Sequence, residues 1–161
     1  MNRDKVEEAF QMVGLNELEK LKEIVNEGNV NNFVNEYGQN LLHEAIVGDA
    51  LEIFQYLLYC KVDINKMDKE GKTPLHYSTA YNSYEYTKLL LDSKGIENSV
   101  KDKYGNNPMW VAVFNSDGYY DIVKLLKEHG VDAFSKNNAN RSPLDFAIQI
   151  EDKELAEILL S

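Results

Sequence analysis

Gly71-Lys72-Thr73-Pro74-Leu75-His76-Tyr77-Ser78 decides how the rest of the chain is read, because altered copies of it recur along the sequence. One copy stands upstream as Gly38-Gln39-Asn40-Leu41-Leu42-His43-Glu44-Ala45, a step of 71 − 38 = 33 residues. Two follow, Gly105-Asn106-Asn107-Pro108-Met109-Trp110-Val111-Ala112 and Asn140-Arg141-Ser142-Pro143-Leu144-Asp145-Phe146-Ala147, at steps of 34 and 35. Behind each copy comes a second apolar stretch, ending in Leu57-Leu58, Leu90-Leu91, Leu125-Leu126 and Leu159-Leu160. A fixed period of this length is the mark of a stacked array, in which one unit cannot bury its apolar face and must pack on the next.

Local chemistry agrees with that reading. Pro74, Pro108 and Pro143 suit a first helical turn, where the missing N–H costs little, and Thr73, Asn107 and Ser142 stand just before them as N-caps. Leu75, Ser78 and Thr79, like Met109, Ala112 and Val113, place small or apolar residues on one helix face. Gly38, Gly71 and Gly105 sit where a tight turn needs positive φ, and Asn140 is the residue next best suited to it. Upstream of the copies, Val6–Val13 and Leu15–Val25 read as two charged amphipathic helices, fit to cap the stack.

The copies resemble the ankyrin-repeat family, whose first helix opens on Thr-Pro-Leu-His-x-Ala; Thr73-Pro74-Leu75-His76 matches it, and Val62-Asp63-Ile64-Asn65 and Val131-Asp132 resemble its connecting segment. The resemblance implies an all-α solenoid of helix-turn-helix units with short β-turn fingers. It implies one domain over 1–161, with capping helices in 1–34 and repeats at about 35–67, 68–101, 102–136 and 137–161. It also implies that fingers and first helices line a concave, partner-binding groove. Carried onto this chain, the first repeat contributes finger residues Glu36, Tyr37 and Gln39 and helix residues Glu44 and Val47. The second contributes Lys69, Glu70 and Lys72, then Tyr77 and Tyr81. The third contributes Lys103, Tyr104 and Asn106, then Val111, Phe114 and Asn115; the fourth Asn138, Ala139 and Arg141, then Phe146 and Gln149. Tyr77 and Tyr104 are expected to serve as exposed anchors whose loss leaves stability nearly unchanged. Phe114 and Phe146 either join them or pack between repeats.

Composition limits the partner. Seventeen Lys and Arg against 27 Asp and Glu leave a net charge of −10, which repels phosphate backbones and anionic headgroups and favours a basic protein. Neither nucleic acid nor membrane is the expected partner. The one cysteine, Cys60, has no internal disulfide partner, and the Met1-Asn2-Arg3-Asp4-Lys5 start lacks a signal-peptide core, so a cytoplasmic location is expected. No cofactor, metal or catalytic frame is implied. His43 and His76 fall where the family's histidine ties backbone together, and His129 ends a helix. Trp110 and Asp145 replace that histidine in the later copies, which questions the link there. The expectation is a non-catalytic module, monomeric when free, that sequesters or inhibits one protein. With no appended domain in the chain, it resembles an immunity protein neutralising a basic bacterial toxin or nuclease; the alternative is a regulatory scaffold or host-directed effector linking several proteins.

Overall fold

The structure, a computed structural model, describes residues 3–161; Met1 and Asn2, with the sequence expectation placed on them, lie outside the described residues. Among the described residues the chain is all α, ten helices with one isolated antiparallel bridge between Val34 and Asn40. Its residues group into two compact units, Met1–Tyr77 and Ser78–Ser161.

In the first unit α1 (Arg3–Gly14) packs on α2 (Leu18–Ile24) and α3 (Leu41–Val47), and α3 packs on α4 (Leu51–Tyr59). Ala9, Val13 and Leu21 from the capping pair are fully buried with Leu41, Leu42, Ile53, Phe54 and Leu57. The second capping helix begins later than its apolar pattern suggests. Asn16 adopts a left-handed φ of 55°, so Leu15-Asn16-Glu17 turns the chain and Leu15 is left in solvent. A 3-10 turn over Val30–Asn32 leads into the first finger.

α5 (Pro74–Ala80) carries the chain across the boundary between the units. The second unit then contains α6 (Tyr84–Leu91), α7 (Pro108–Phe114), α8 (Asp121–Glu128), α9 (Pro143–Gln149) and α10 (Lys153–Leu160). Here α7 packs on α8 and α9, α8 on α6 and α10, and α9 on α10, around buried Leu90, Met109, Val123, Leu126, Ala147, Leu155 and Leu159. The first helix of each copy starts at Leu41, Pro74, Pro108 and Pro143, as the prolines and caps predict. Leu57, Leu90, Leu126 and Leu159 from the terminal leucine pairs are fully buried, whereas Leu160 is exposed.

Candidate functional site

Each finger is a turn closed by its own backbone hydrogen bonds. In the first, the Asn35 N–H donates to the Gln39 carbonyl at 3.0 Å and the Gly38 N–H returns to the Asn35 carbonyl at 3.0 Å. The same pair recurs as Asp68 to Lys72 with Gly71 to Asp68, as Asp102 to Asn106 with Gly105 to Asp102, and as Asn137 to Arg141 with Asn140 to Asn137. Gly38, Gly71 and Gly105 take φ of 81°, 76° and 78°, and Asn140 takes 58°, which is why asparagine can stand for glycine in the last finger.

A second feature of the fingers escaped the sequence reading. The Oδ1 of the head residue accepts the N–H groups two and four residues on: Tyr37 and Gln39 for Asn35, Glu70 and Lys72 for Asp68, Tyr104 and Asn106 for Asp102, Ala139 and Arg141 for Asn137. Asn and Asp are interchangeable here because each offers the same acceptor oxygen to the turn. Their spacing, 68 − 35 = 33, 102 − 68 = 34 and 137 − 102 = 35, repeats that of the helix starts and was there to be found.

Neighbouring fingers are stitched within each unit. The Lys69 N–H donates to the Tyr37 carbonyl at 2.9 Å, and the Asn138 N–H donates to the Tyr104 carbonyl at 2.9 Å, with Asn138 Nδ2 reaching the Lys103 carbonyl at 3.0 Å. Tyr37 and Tyr104 therefore sit on bonded backbone, and the two residues are 62% and 55% exposed.

The histidine position joins helix to finger. The Asn40 N–H donates to His43 Nδ1 at 3.1 Å, leaving Nε2 to donate to the Lys72 carbonyl at 3.3 Å. Burial holds the His43 imidazole down to about 4, so the ring is neutral in its structural role. Thr73 makes the corresponding bond, its N–H donating to His76 Nδ1 at 3.2 Å. The replacements keep the two jobs but divide them. Asp145 Oδ2 accepts the Ser142 N–H at 2.9 Å, a bond that holds the carboxyl below its ordinary range, while Trp110 Nε1 donates to the Arg141 carbonyl at 3.0 Å. His129 caps the end of α8, its Nδ1 donating to the Leu125 carbonyl at 2.9 Å.

In the first unit, Glu36, Tyr37 and Lys69 are exposed at the finger tips, while Glu70 and Lys72 are half-buried. Val47 is exposed on α3 and Glu44 is half-buried there; desolvation raises the Glu44 carboxyl above its ordinary range. Glu44 and Glu36 line a cleft of about 600 Å³ whose apolar wall is Val6, Phe10 and Val34. Arg3 stands at its rim, 3.7 Å from Glu36 and 2.9 Å from Glu7. Tyr77 differs from an exposed anchor. Its hydroxyl donates to Asp68 Oδ2 at 2.9 Å and accepts from Gln39 Nε2 at 2.6 Å, and its ring meets His43 edge-on at 4.8 Å.

In the second unit, Tyr81, Lys103, Tyr104, Asn138, Ala139 and Gln149 are exposed, and Asn106, Val111, Asn115 and Arg141 are half-buried. Asn115 Nδ2 is turned back onto the Val111 carbonyl at 2.7 Å. Phe114, 61% exposed, does not pack away; it stacks obliquely with Trp110 and Phe146 at centroid distances of 6.0 and 5.7 Å. Trp110 and Phe146 are 5.3 Å apart, and the Arg141 guanidinium lies 6.0 Å over the Phe146 ring. The sequence shows Trp110 only as a replacement at the histidine position, and nothing in its spacing signals this aromatic cluster.

The array of Asx-headed fingers and capped first helices is matched by a family model. A description of ankyrin repeats, in three copies, fits residues 9–102 and 49–137. The chain belongs to the ankyrin-repeat family. Among curated proteins it is 33% identical over 115 residues to the human "Transient receptor potential cation channel subfamily A member 1", covering 68% of this chain and 10% of that protein. The Caenorhabditis elegans homolog of that channel is 29% identical over 118 residues, 73% of this chain and 10% of its own length. Mouse "Rabankyrin-5" is 32% identical over 124 residues, 77% of this chain and again 10% of that protein. The chain thus spans about a tenth of the length of these relatives. Ankyrin repeats are in general protein-interaction modules. Among the described residues no helix is long and apolar enough to cross a membrane.

Proposed function

We propose that this chain is a non-catalytic module that sequesters or inhibits a partner protein through its finger tips and the exposed faces of its first helices. The observation that carries the reading is that Tyr37 and Tyr104 are held out in solvent on finger backbone whose N–H and carbonyl groups are both bonded, with Phe114 exposed at the end of α7. Rings on a preformed frame lose little freedom on docking, and aromatic anchors carry much of the energy of protein interfaces. The histidines that could move protons are engaged with the backbone of caps and helix ends, which favours binding over chemistry. The net charge of −10 favours a basic partner. The narrower reading is an immunity protein, cytoplasmic and monomeric when free, that neutralises a basic toxin or nuclease.

Affinity purification from the native cell at low salt, with wild type beside a Tyr104→Ala/Phe114→Ala variant, tests it. The expected result is a stoichiometric protein partner captured by wild type and lost by the variant. Equal capture by both, or no captured protein, overturns the proposal. Co-expression with the captured protein then decides the narrower reading, since an immunity protein restores growth that its toxin stops.

A further inference from the structure

The second unit carries a patch whose charge opposes that of the whole chain. Its two fingers present Lys101, Lys103, Lys136 and Arg141, and the one acid among residues 101–106 and 136–141 is Asp102, buried with its Oδ1 taken by the Tyr104 and Asn106 N–H groups. The next acid along, Asp145, is turned onto the Ser142 N–H, and its carboxylate offsets part of the charge of Lys136 and Arg141 without a salt bridge to either among the described residues. Lys101 Nζ rests on the Lys136 carbonyl at 2.7 Å, a contact that leaves its charge uncancelled. The same unit holds the cluster of Trp110, Phe114 and Phe146. Arg141 joins the two, since its guanidinium covers Phe146 while its Nη2 is buried and makes no hydrogen bond among the described residues. A covered cationic N–H without an acceptor is a group whose bonding is completed by something else, and the planar fork of arginine fits a carboxylate.

We infer that this patch docks an acidic segment of the partner protein, one that places a carboxylate beside an aromatic or aliphatic side chain. The apolar side chain lies against Phe114 and Phe146, and the carboxylate draws Arg141 off the ring and pairs with it. The inference rests on the reading that the finger and first-helix surface binds protein, and it adds that the partner, basic or not overall, is acidic where it meets this unit. Single-stranded nucleic acid also stacks on aromatic rings, but it carries a phosphate at every nucleotide. A patch of four cations in a chain of net charge −10 suits a localised carboxylate better than an extended polyanion.

Trp110 is the single tryptophan of the chain and belongs to the cluster, so its emission reports occupancy of the patch. The full chain is titrated with a blocked peptide in which phenylalanine and leucine alternate with glutamate, with the same peptide carrying lysine for glutamate, and with a thymidine oligonucleotide. The glutamate peptide is expected to saturate the signal about tenfold more tightly than the lysine peptide, and Arg141→Glu to weaken it about tenfold. Arg141→Gln, which makes no new charge, is expected to fall between, with the helical far-ultraviolet signal of both variants unchanged. Equal or tighter binding of the lysine peptide or the oligonucleotide overturns the inference, as does unchanged affinity in Arg141→Glu or no saturable change up to about 1 mM. If the finger variant loses its captured protein while the glutamate peptide gives no signal, the protein-binding reading stands and this inference falls.

Discussion

Trp110 Nε1 donates to the Arg141 carbonyl at 3.0 Å, ending on the residue that precedes an N-cap, as His43 does when it reaches the Lys72 carbonyl at 3.3 Å. A different ring thus makes the same forward link from a first helix to the next finger. Trp110→Phe keeps an aromatic ring but leaves the Arg141 carbonyl without this donor, and it is expected to cost about 1 kcal/mol in urea unfolding. Trp110→His, which restores the family's own donor, is expected to cost less than Trp110→Phe. The reverse order would show that the hydrogen bond contributes nothing to the repeat.

His43 makes stability depend on pH. Its folded pKa lies near 4 against an ordinary 6.5, because burial disfavours the charged ring. The unfolded chain therefore binds the proton more readily, so the contribution is complete above pH 6.5 and is lost as pH falls towards 4. The shift corresponds to at most about 3 kcal/mol. Urea unfolding at pH 7, 5.5 and 4.5 should show wild type losing more stability than His43→Gln across that interval. Parallel losses in the two proteins would remove His43 as the cause.

How far the sequence carried the reading follows from what each feature depends on. Helix starts were legible because proline and cap residues act within one turn, and the period because stacking demands it at every copy. The left-handed turns at Gly38, Gly71, Gly105 and Asn140 were legible for the same local reason. Leu15 was misplaced because an Asn16 turn overrides an apolar pattern that a helix would have used. Partners across tens of residues were beyond reach. Nothing in the spacing says that Gln39 meets Tyr77, or that Trp110, Phe114 and Phe146 converge from two helices.

Tyr77 and Tyr104, alike in the sequence as groove tyrosines, are separated by that packing. Tyr104 is exposed beside Lys103, whose ammonium lies 4.9 Å from its ring centroid, and Tyr104→Ala is expected to change stability by less than about 0.5 kcal/mol. Tyr77→Phe removes the hydroxyl that bridges Asp68 and Gln39 and is expected to cost about 1 kcal/mol; Tyr77→Ala also removes the edge contact on His43 and should cost more. Thermal unfolding of the three single variants checks the order. A stable Tyr77→Ala protein would return Tyr77 to the role of a free anchor.

Gly105 is held by two constraints at once, and one substitution separates it from its counterpart Gly38. Both glycines have positive φ, so an added side chain strains either backbone. At Gly38 a Cβ would come no nearer than 3.3 Å to the Lys69 nitrogen, a contact that a slight shift of the finger relieves. At Gly105 it would stand 2.6 Å from Asn138 Oδ1 and 2.8 Å from the Asn138 nitrogen, the atom whose N–H is bonded to the Tyr104 carbonyl. The finger pair must then part or give up that bond. Gly38→Ala is expected to cost about 1 kcal/mol and Gly105→Ala about 2–3 kcal/mol, because the second adds a lost interfinger bond to the same backbone strain. Amide hydrogen exchange at Asn138 distinguishes the cause: faster exchange in Gly105→Ala, unchanged in Gly38→Ala, marks parted fingers, whereas equal rates in both variants would mean that strain at φ is the whole effect.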